Sequence, residues 1–242
     1  MFEYKNIKVN YIRYGNKKKD TLVYLHGWGQ NIEMMKPIAD PFQDDFDIVI
    51  LDLPGFGKSE EPKEVFLLDD YVECIKELLD SLKIKNPTLI GHSFGGKLSI
   101  LYASKYDCKK VVLLASPFKS AKSNDSMKTK ILKGIKKLPG MNTLANKAKK
   151  YIGSTDYKSA SPIMREILVK HVSTDLTENA KLIKCPTLII WGTLDQAVDV
   201  NDAYELEKLI KDSGVVIYEG CTHYAYLERK VQTINVLKSF FK

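Results

Sequence analysis

The sequence predicts an α/β fold: a mostly parallel central sheet with helices on both faces, and a helical segment inserted between two late strands. Three observations predict it. Short apolar runs alternate along the chain with amphipathic stretches of helical period, the rhythm of strand–helix–strand units whose crossovers are right-handed. One apolar run, Thr88-Leu89-Ile90, leads into Gly91-His92-Ser93-Phe94-Gly95, a Gly-x-Ser-x-Gly pentapeptide with a helix-like segment after it. Pro117 to Cys185 then breaks the rhythm with about 69 polar, helical residues, too many for a loop.

Taken in order, Phe2–Tyr4 and Lys8–Tyr14 alternate in polarity and read as an antiparallel start, a hairpin around Asn6. Apolar runs predict strands at 21–25, 48–51, 88–92, 111–115, 187–191 and 215–218. Helices are expected at about 31–39, 69–82, 95–105, 201–212 and 227–241. In the last of these Leu227, Val231, Ile234, Leu237 and Phe241 form one stripe, the pattern of a helix lying on a sheet. Within the insertion, Ile131, Leu132, Ile135 and Leu138 recur at helical spacing and either pack the insertion or line a pocket.

The chemistry-bearing residues fall just past predicted strand ends. Ser93 occupies the centre of a strand-to-helix turn, where flanking glycines permit close packing and the serine is held in a strained conformation. Thr21–Leu25 runs into His26-Gly27-Trp28-Gly29, a glycine turn whose backbone can approach a substrate. Acyl transfer places negative charge on a carbonyl oxygen, which two aimed N–H groups stabilise. Phe94, directly after the serine, and most simply Trp28 supply them. Asp195 follows the run Leu188-Ile189-Ile190-Trp191, and Asp199 and Asp202 are rivals further from the strand end. Of the 4 histidines, His223 combines a late position with a loop after the run Val215–Tyr218. His26 belongs to the glycine turn, His92 is expected to point away from the serine beside it, and His171 sits in a lysine-flanked segment with no strand before it. Ser93, Asp195 and His223 thus occur in the chain order serine, acid, histidine.

These motifs, with Asp52-Leu53-Pro54-Gly55-Phe56-Gly57-Lys58-Ser59 after an early strand, resemble the α/β-hydrolase superfamily over nearly the whole chain. The resemblance implies a core of residues 1–116 and 186–242 and a substrate-covering cap at 117–185. It implies a serine hydrolase acting on carboxylic esters through an acyl-enzyme, with Ser93 as nucleophile, His223 as base and Asp195 as the orienting acid. Trp28 and Phe94 would form the oxyanion hole and border the substrate, and no metal or organic cofactor is required. A serine at the elbow argues against epoxide hydrolases and haloalkane dehalogenases, which carry aspartate there. Carbon–carbon bond hydrolases and slowly hydrolysing ligand receptors of the same superfamily remain as alternatives.

Composition bounds the rest. The 242 residues carry a net charge of +7, and 44% are hydrophobic. The charge is uneven: residues 117–185 hold 15 Lys and Arg against 5 Asp and Glu. This basic segment is either a solvated surface or an attractor for an anionic or carrier-protein-bound substrate or a protein partner. Arg165 is its only arginine, and no basic strand interleaved with aromatics accompanies it, which argues against nucleic acid. No apolar run approaches the roughly 20 residues that span a bilayer. The absence of an apolar leader, and 4 cysteines without paired or metal-ligand spacing, predict a cytoplasmic protein with reduced thiols.

Overall fold

The computed structural model describes residues 1–120 and 160–242. The chain opens on a two-stranded antiparallel ribbon, β1 (Phe2–Tyr4) and β2 (Ile7–Val9), turning through Lys5 and Asn6 at positive φ. β3 (Tyr11–Gly15), β4 (Thr21–Leu25), β5 (Asp47–Leu51), β6 (Thr88–His92), β7 (Lys110–Leu114), β8 (Thr187–Gly192) and β9 (Ser213–Tyr218) form one sheet. Its order is β3-β5-β4-β6-β7-β8-β9, with β3 antiparallel to β5 and every other pairing parallel. The expected single strand over residues 8–14 is thus divided: β2 stays in the ribbon and β3 joins the sheet edge.

The central strands are buried along their length, as parallel strands covered on both faces must be. Two apolar clusters flank the sheet. One gathers Val23, Val49, Leu89, Leu113 and Ile189 with α2 (Leu68–Ser81) and α3 (Phe94–Lys105). The other gathers Leu22, Ile48, Ile90, Val112 and Ile190 with α1 (Lys36–Ala39) and the C-terminal helix. Neighbouring residues of each strand therefore serve opposite layers, the two-residue period of a pleated strand.

The helix expected at 31–39 is two short pieces, a 3₁₀ turn over Ile32–Met34 and α1, because Pro37 and Pro41 interrupt the hydrogen-bond ladder. Between β7 and β8 the described helices are α4 (Pro162–Ser173) and α5 (Thr177–Lys181). Ile131, Leu132, Ile135 and Leu138 lie outside the described residues. After α6 (Asn201–Leu209) and β9, the C-terminal helix is broken at Arg229 into α7 (Ala225–Glu228) and α8 (Lys230–Phe241). The break turns Val231 outward, 70% exposed, while Leu237 is fully buried; the expected single stripe is corrected at that residue. Among the described residues no helix is long and apolar enough to cross a membrane.

Candidate active site

Ser93 stands between the end of β6 and the first residue of α3, with φ 51° and ψ −111°. A non-glycine residue adopts such a backbone only under constraint, at a cost of roughly 1–3 kcal/mol. The constraint is visible on both sides. The Ser93 N–H donates to Leu114 O on the adjacent strand at 2.9 Å, and its carbonyl accepts from Lys97 N at 2.9 Å. A Cβ on Gly91 would lie 2.5 Å from Gly96 N, and one on Gly95 2.7 Å from His26 O. Glycine is required at both because backbone, not movable side chain, fills the space. Phe94 is the first residue of α3, so its N–H lies ahead of the helical ladder.

The turn after β4 is held by its own histidine. His26 is buried, its Nε2 accepts from Leu53 N at 3.0 Å, and Nδ1 lies 2.7 Å from Gly27 O. These partners assign the proton to Nδ1, and burial lowers the pKa to about 4, keeping the ring neutral. The Gly27 N–H donates to Gln30 Oε1 at 3.0 Å, while Gly95 N donates to His26 O at 3.1 Å, fastening this turn to the serine turn. Trp28 packs against Phe56 and Phe94, with ring centroids 4.8 and 5.4 Å away.

Asp195 and His223 meet across two loops. His223 Nδ1 lies 2.7 Å from Asp195 Oδ2. The other oxygen, Oδ1, accepts from the N–H groups of Ala197 and Val198 at 2.8 and 2.9 Å, and the Asp195 side chain is wholly covered. Thus the carboxylate is fixed at one oxygen by backbone and presents the other to the imidazole. The loops are themselves joined: Leu194 N donates to Cys221 O at 2.8 Å, and a Cβ on Gly192 would stand 2.5 Å from Thr222 O. The rivals are engaged elsewhere. Asp199 accepts from Asn201 N at 2.9 Å at the start of α6, and Asp202 pairs with Lys119 at 3.1 Å.

His92, expected to point away from the serine beside it, joins these loops. It is buried, its Nε2 lies 3.1 Å from His223 O, and its ring centroid is 4.8 Å from that of His223. On its other side Nδ1 lies 3.2 Å from Gln30 Oε1. Burial, then the neighbouring His223, lower its pKa to about 3. The sequence does not single out Lys97, and it sets His171 aside for lack of a strand before it. Lys97, on α3, is 1% exposed and donates to His171 O and Thr174 O at 2.9 and 2.6 Å. His171, near the end of α4, lies parallel to the Trp28 ring at 5.9 Å and 4.5 Å from the Phe94 ring. No motif marks either residue, because each depends on where the insertion folds back.

A strained serine at a strand-to-helix turn and a histidine–carboxylate pair on two joined loops are the features that point to a class of protein. Residues 20–148 match the family model for the alpha/beta hydrolase fold. The chain belongs to the alpha/beta-hydrolase family, and as an enzyme it is a hydrolase. It is similar to monoacylglycerol lipase ABHD6 of Bos taurus, at 27% identity over 92% of this chain and 75% of that protein. Lipase 1 of Psychrobacter immobilis is 27% identical, with 96% of this chain and 80% of that protein covered. Among solved structures, the esterase EaEST from Exiguobacterium antarcticum superposes with a TM-score of 0.76 at 20% identity, covering 97% of this chain and 95% of that one, a likeness of fold.

Proposed function

We propose that the protein hydrolyses carboxylic esters of small acyl substrates through an acyl-enzyme. Ser93 is the nucleophile; neutral His223 takes its proton through Nε2 as the oxygen attacks the ester carbonyl. Asp195 holds the other ring nitrogen and stabilises the imidazolium. The N–H groups of Trp28 and Phe94 receive the developing oxyanion. His223 then protonates the leaving alcohol, and the same histidine activates the water that clears the acyl group. Each step uses residues of this chain and calls for no cofactor.

The observation that carries this reading is the 2.7 Å pairing of His223 Nδ1 with a carboxylate locked by two backbone donors. That arrangement fixes a proton on Nδ1 and leaves Nε2 as an acceptor, the tautomer a general base needs. The names of the lipase and esterase relatives support the ester as the substrate class. We place residues 1–116 and 186–242 in the core and 117–185 in a cap that governs entry, its basic charge suiting an anionic or carrier-bound acyl group. Four free thiols fit a reducing, cytoplasmic setting.

The test is turnover of p-nitrophenyl esters from C2 to C12 by the wild type and Ser93→Ala, with a fluorophosphonate label on the serine. Wild-type turnover, abolished along with labelling in Ser93→Ala, is expected. A labelled Ser93 without ester turnover would refute the ester assignment; equal activity in both proteins would refute the nucleophile.

A further inference from the structure

His171 is an imidazole without an evident task. It is 7% exposed, and its Nδ1 is buried with no hydrogen-bond partner among the described residues. Polar atoms in native interiors are almost always paired, and an unpaired one asks for an explanation such as a ligand or water. Its surroundings are those of the candidate site. The ring lies parallel to Trp28 at an interplanar angle of 8° and contacts Phe94, the two residues proposed above to supply the oxyanion N–H groups. An apolar side chain would stack there at least as well, so stacking alone does not account for a histidine.

The backbone carrying this ring is anchored to the serine helix. Lys97 sits one turn after Ser93, and its buried ammonium donates to the carbonyls of His171 and Thr174 at the C-terminal end of α4. Cations favour helix C-termini, and two carbonyl acceptors partly offset the desolvation of the charge. The same ammonium works against a second positive charge: burial first, then Lys97, hold the His171 pKa well below its usual value. A neutral imidazole carries one donor and one acceptor nitrogen, and with Nδ1 unpaired either tautomer is available to a ligand.

We propose that His171 is a substrate-contacting residue, one of its ring nitrogens hydrogen-bonding a hydroxyl or carbonyl oxygen that the substrate carries in addition to its ester. This rests on the ester-hydrolase reading and narrows it to acyl or alcohol groups bearing a second polar function near the reacting carbonyl. Lys97 acts through His171 as a positioning residue.

The experiment compares kcat/KM within matched pairs: p-nitrophenyl butanoate against p-nitrophenyl 3-hydroxybutanoate, and propyl butanoate against 2,3-dihydroxypropyl butanoate. Wild type, His171→Phe and His171→Gln are measured. In at least one pair the preference for the hydroxylated ester should fall about 10-fold in His171→Phe, the loss of one buried hydrogen bond, and recover in part in His171→Gln. The ratio within a pair cancels any general loss of folded enzyme. Unchanged ratios in both pairs overturn the proposal, whatever the absolute rates. Titration of the ¹⁵N-labelled wild type with butanoate and 3-hydroxybutanoate, read at the His171 ring nitrogens, stands without turnover. A shift produced by the hydroxy acid alone supports the contact even where no ester is cleaved, and no difference between the acids counts against it.

Discussion

Replacing Asp195 by asparagine tests the site with little change of shape. Asn Oδ1 can still accept from Ala197 and Val198, so the loop retains both hydrogen bonds. The change falls on the other arm. An amide NH₂ would stand where Oδ2 now lies, 2.7 Å from His223 Nδ1, and a donor there requires a lone pair on Nδ1. The ring proton then moves to Nε2, the nitrogen that accepts the serine proton in the proposed mechanism, and the imidazolium formed there loses its counter-charge. Loss of the orienting carboxylate in a serine–histidine–acid site lowers kcat on the order of 10⁴-fold, about 5 kcal/mol of transition-state stabilisation. Folding should shift by about 1–3 kcal/mol, since three hydrogen bonds to a carboxylate become hydrogen bonds of a neutral amide.

The assay is kcat on p-nitrophenyl butanoate beside urea denaturation, for Asp195→Asn, Asp199→Asn and Asp202→Asn. Asp199 and Asp202 hydrogen-bond Asn201 and Lys119 rather than His223, so their variants should retain kcat within about 10-fold. An Asp195→Asn protein that is folded and within 10-fold of wild type refutes the reasoning. So does an Asp199→Asn protein that loses as much as Asp195→Asn.

The remaining predictions concern the packing that holds the site. Gly95→Ala drives a Cβ to 2.5 Å from Leu25 C and 2.7 Å from His26 O, so it should lower unfolding free energy by about 3 kcal/mol in urea titration; a loss under about 1 kcal/mol would show that the two turns can part. Lys97 has a pKa lowered by burial from 10.5 to about 8, so between those values the unfolded chain binds more protons and stability rises with pH. Below about pH 8 the folded protein carries the full burden of the buried charge, on the order of 3 kcal/mol. Lys97→Met should therefore flatten the rise in Tm between pH 8 and 10 relative to wild type; parallel Tm curves for the two proteins would refute it.

Much of this was legible in the sequence, for a physical reason. Strand ends in a parallel sheet are marked locally, by an apolar run and the glycines that follow it, and Ser93, Trp28, Asp195 and His223 all sit at such ends. The elbow depends on Gly91 and Gly95, which are themselves part of the motif. The errors fell where the local pattern was right and its context was not. Val231 matched a helical stripe, but a helix interrupted at Arg229 does not keep that stripe on one face. His171 follows no strand, so nothing local marks it; its place beside Trp28 comes from α4 packing onto α3, a contact between segments about 70 residues apart.

His92 shows how a residue inside a recognised motif can carry a second task. The elbow fixes where its backbone lies, and the serine beside it draws attention away. Its ring joins two loops, the serine turn that bears it and the His223 loop, to whose carbonyl Nε2–H donates; Nδ1, without a proton in the neutral ring, only lies near Gln30 Oε1. Tyr226 closes the arrangement from α7, with ring centroids 4.8 Å apart. A hydrocarbon of similar size would fill the volume but leave the His223 carbonyl without this donor, at a cost of about 1–3 kcal/mol if that carbonyl stayed buried. The neutral imidazole supplies the donor without bringing a charge next to His223, and burial, which pushes its pKa to about 3, keeps it neutral near pH 7. The placement of His223 therefore depends on a histidine that never has to touch substrate. The pairing of His223 with Asp195 rests on one side on the backbone N–H groups that donate to Asp195, and on the other on the ring of His92.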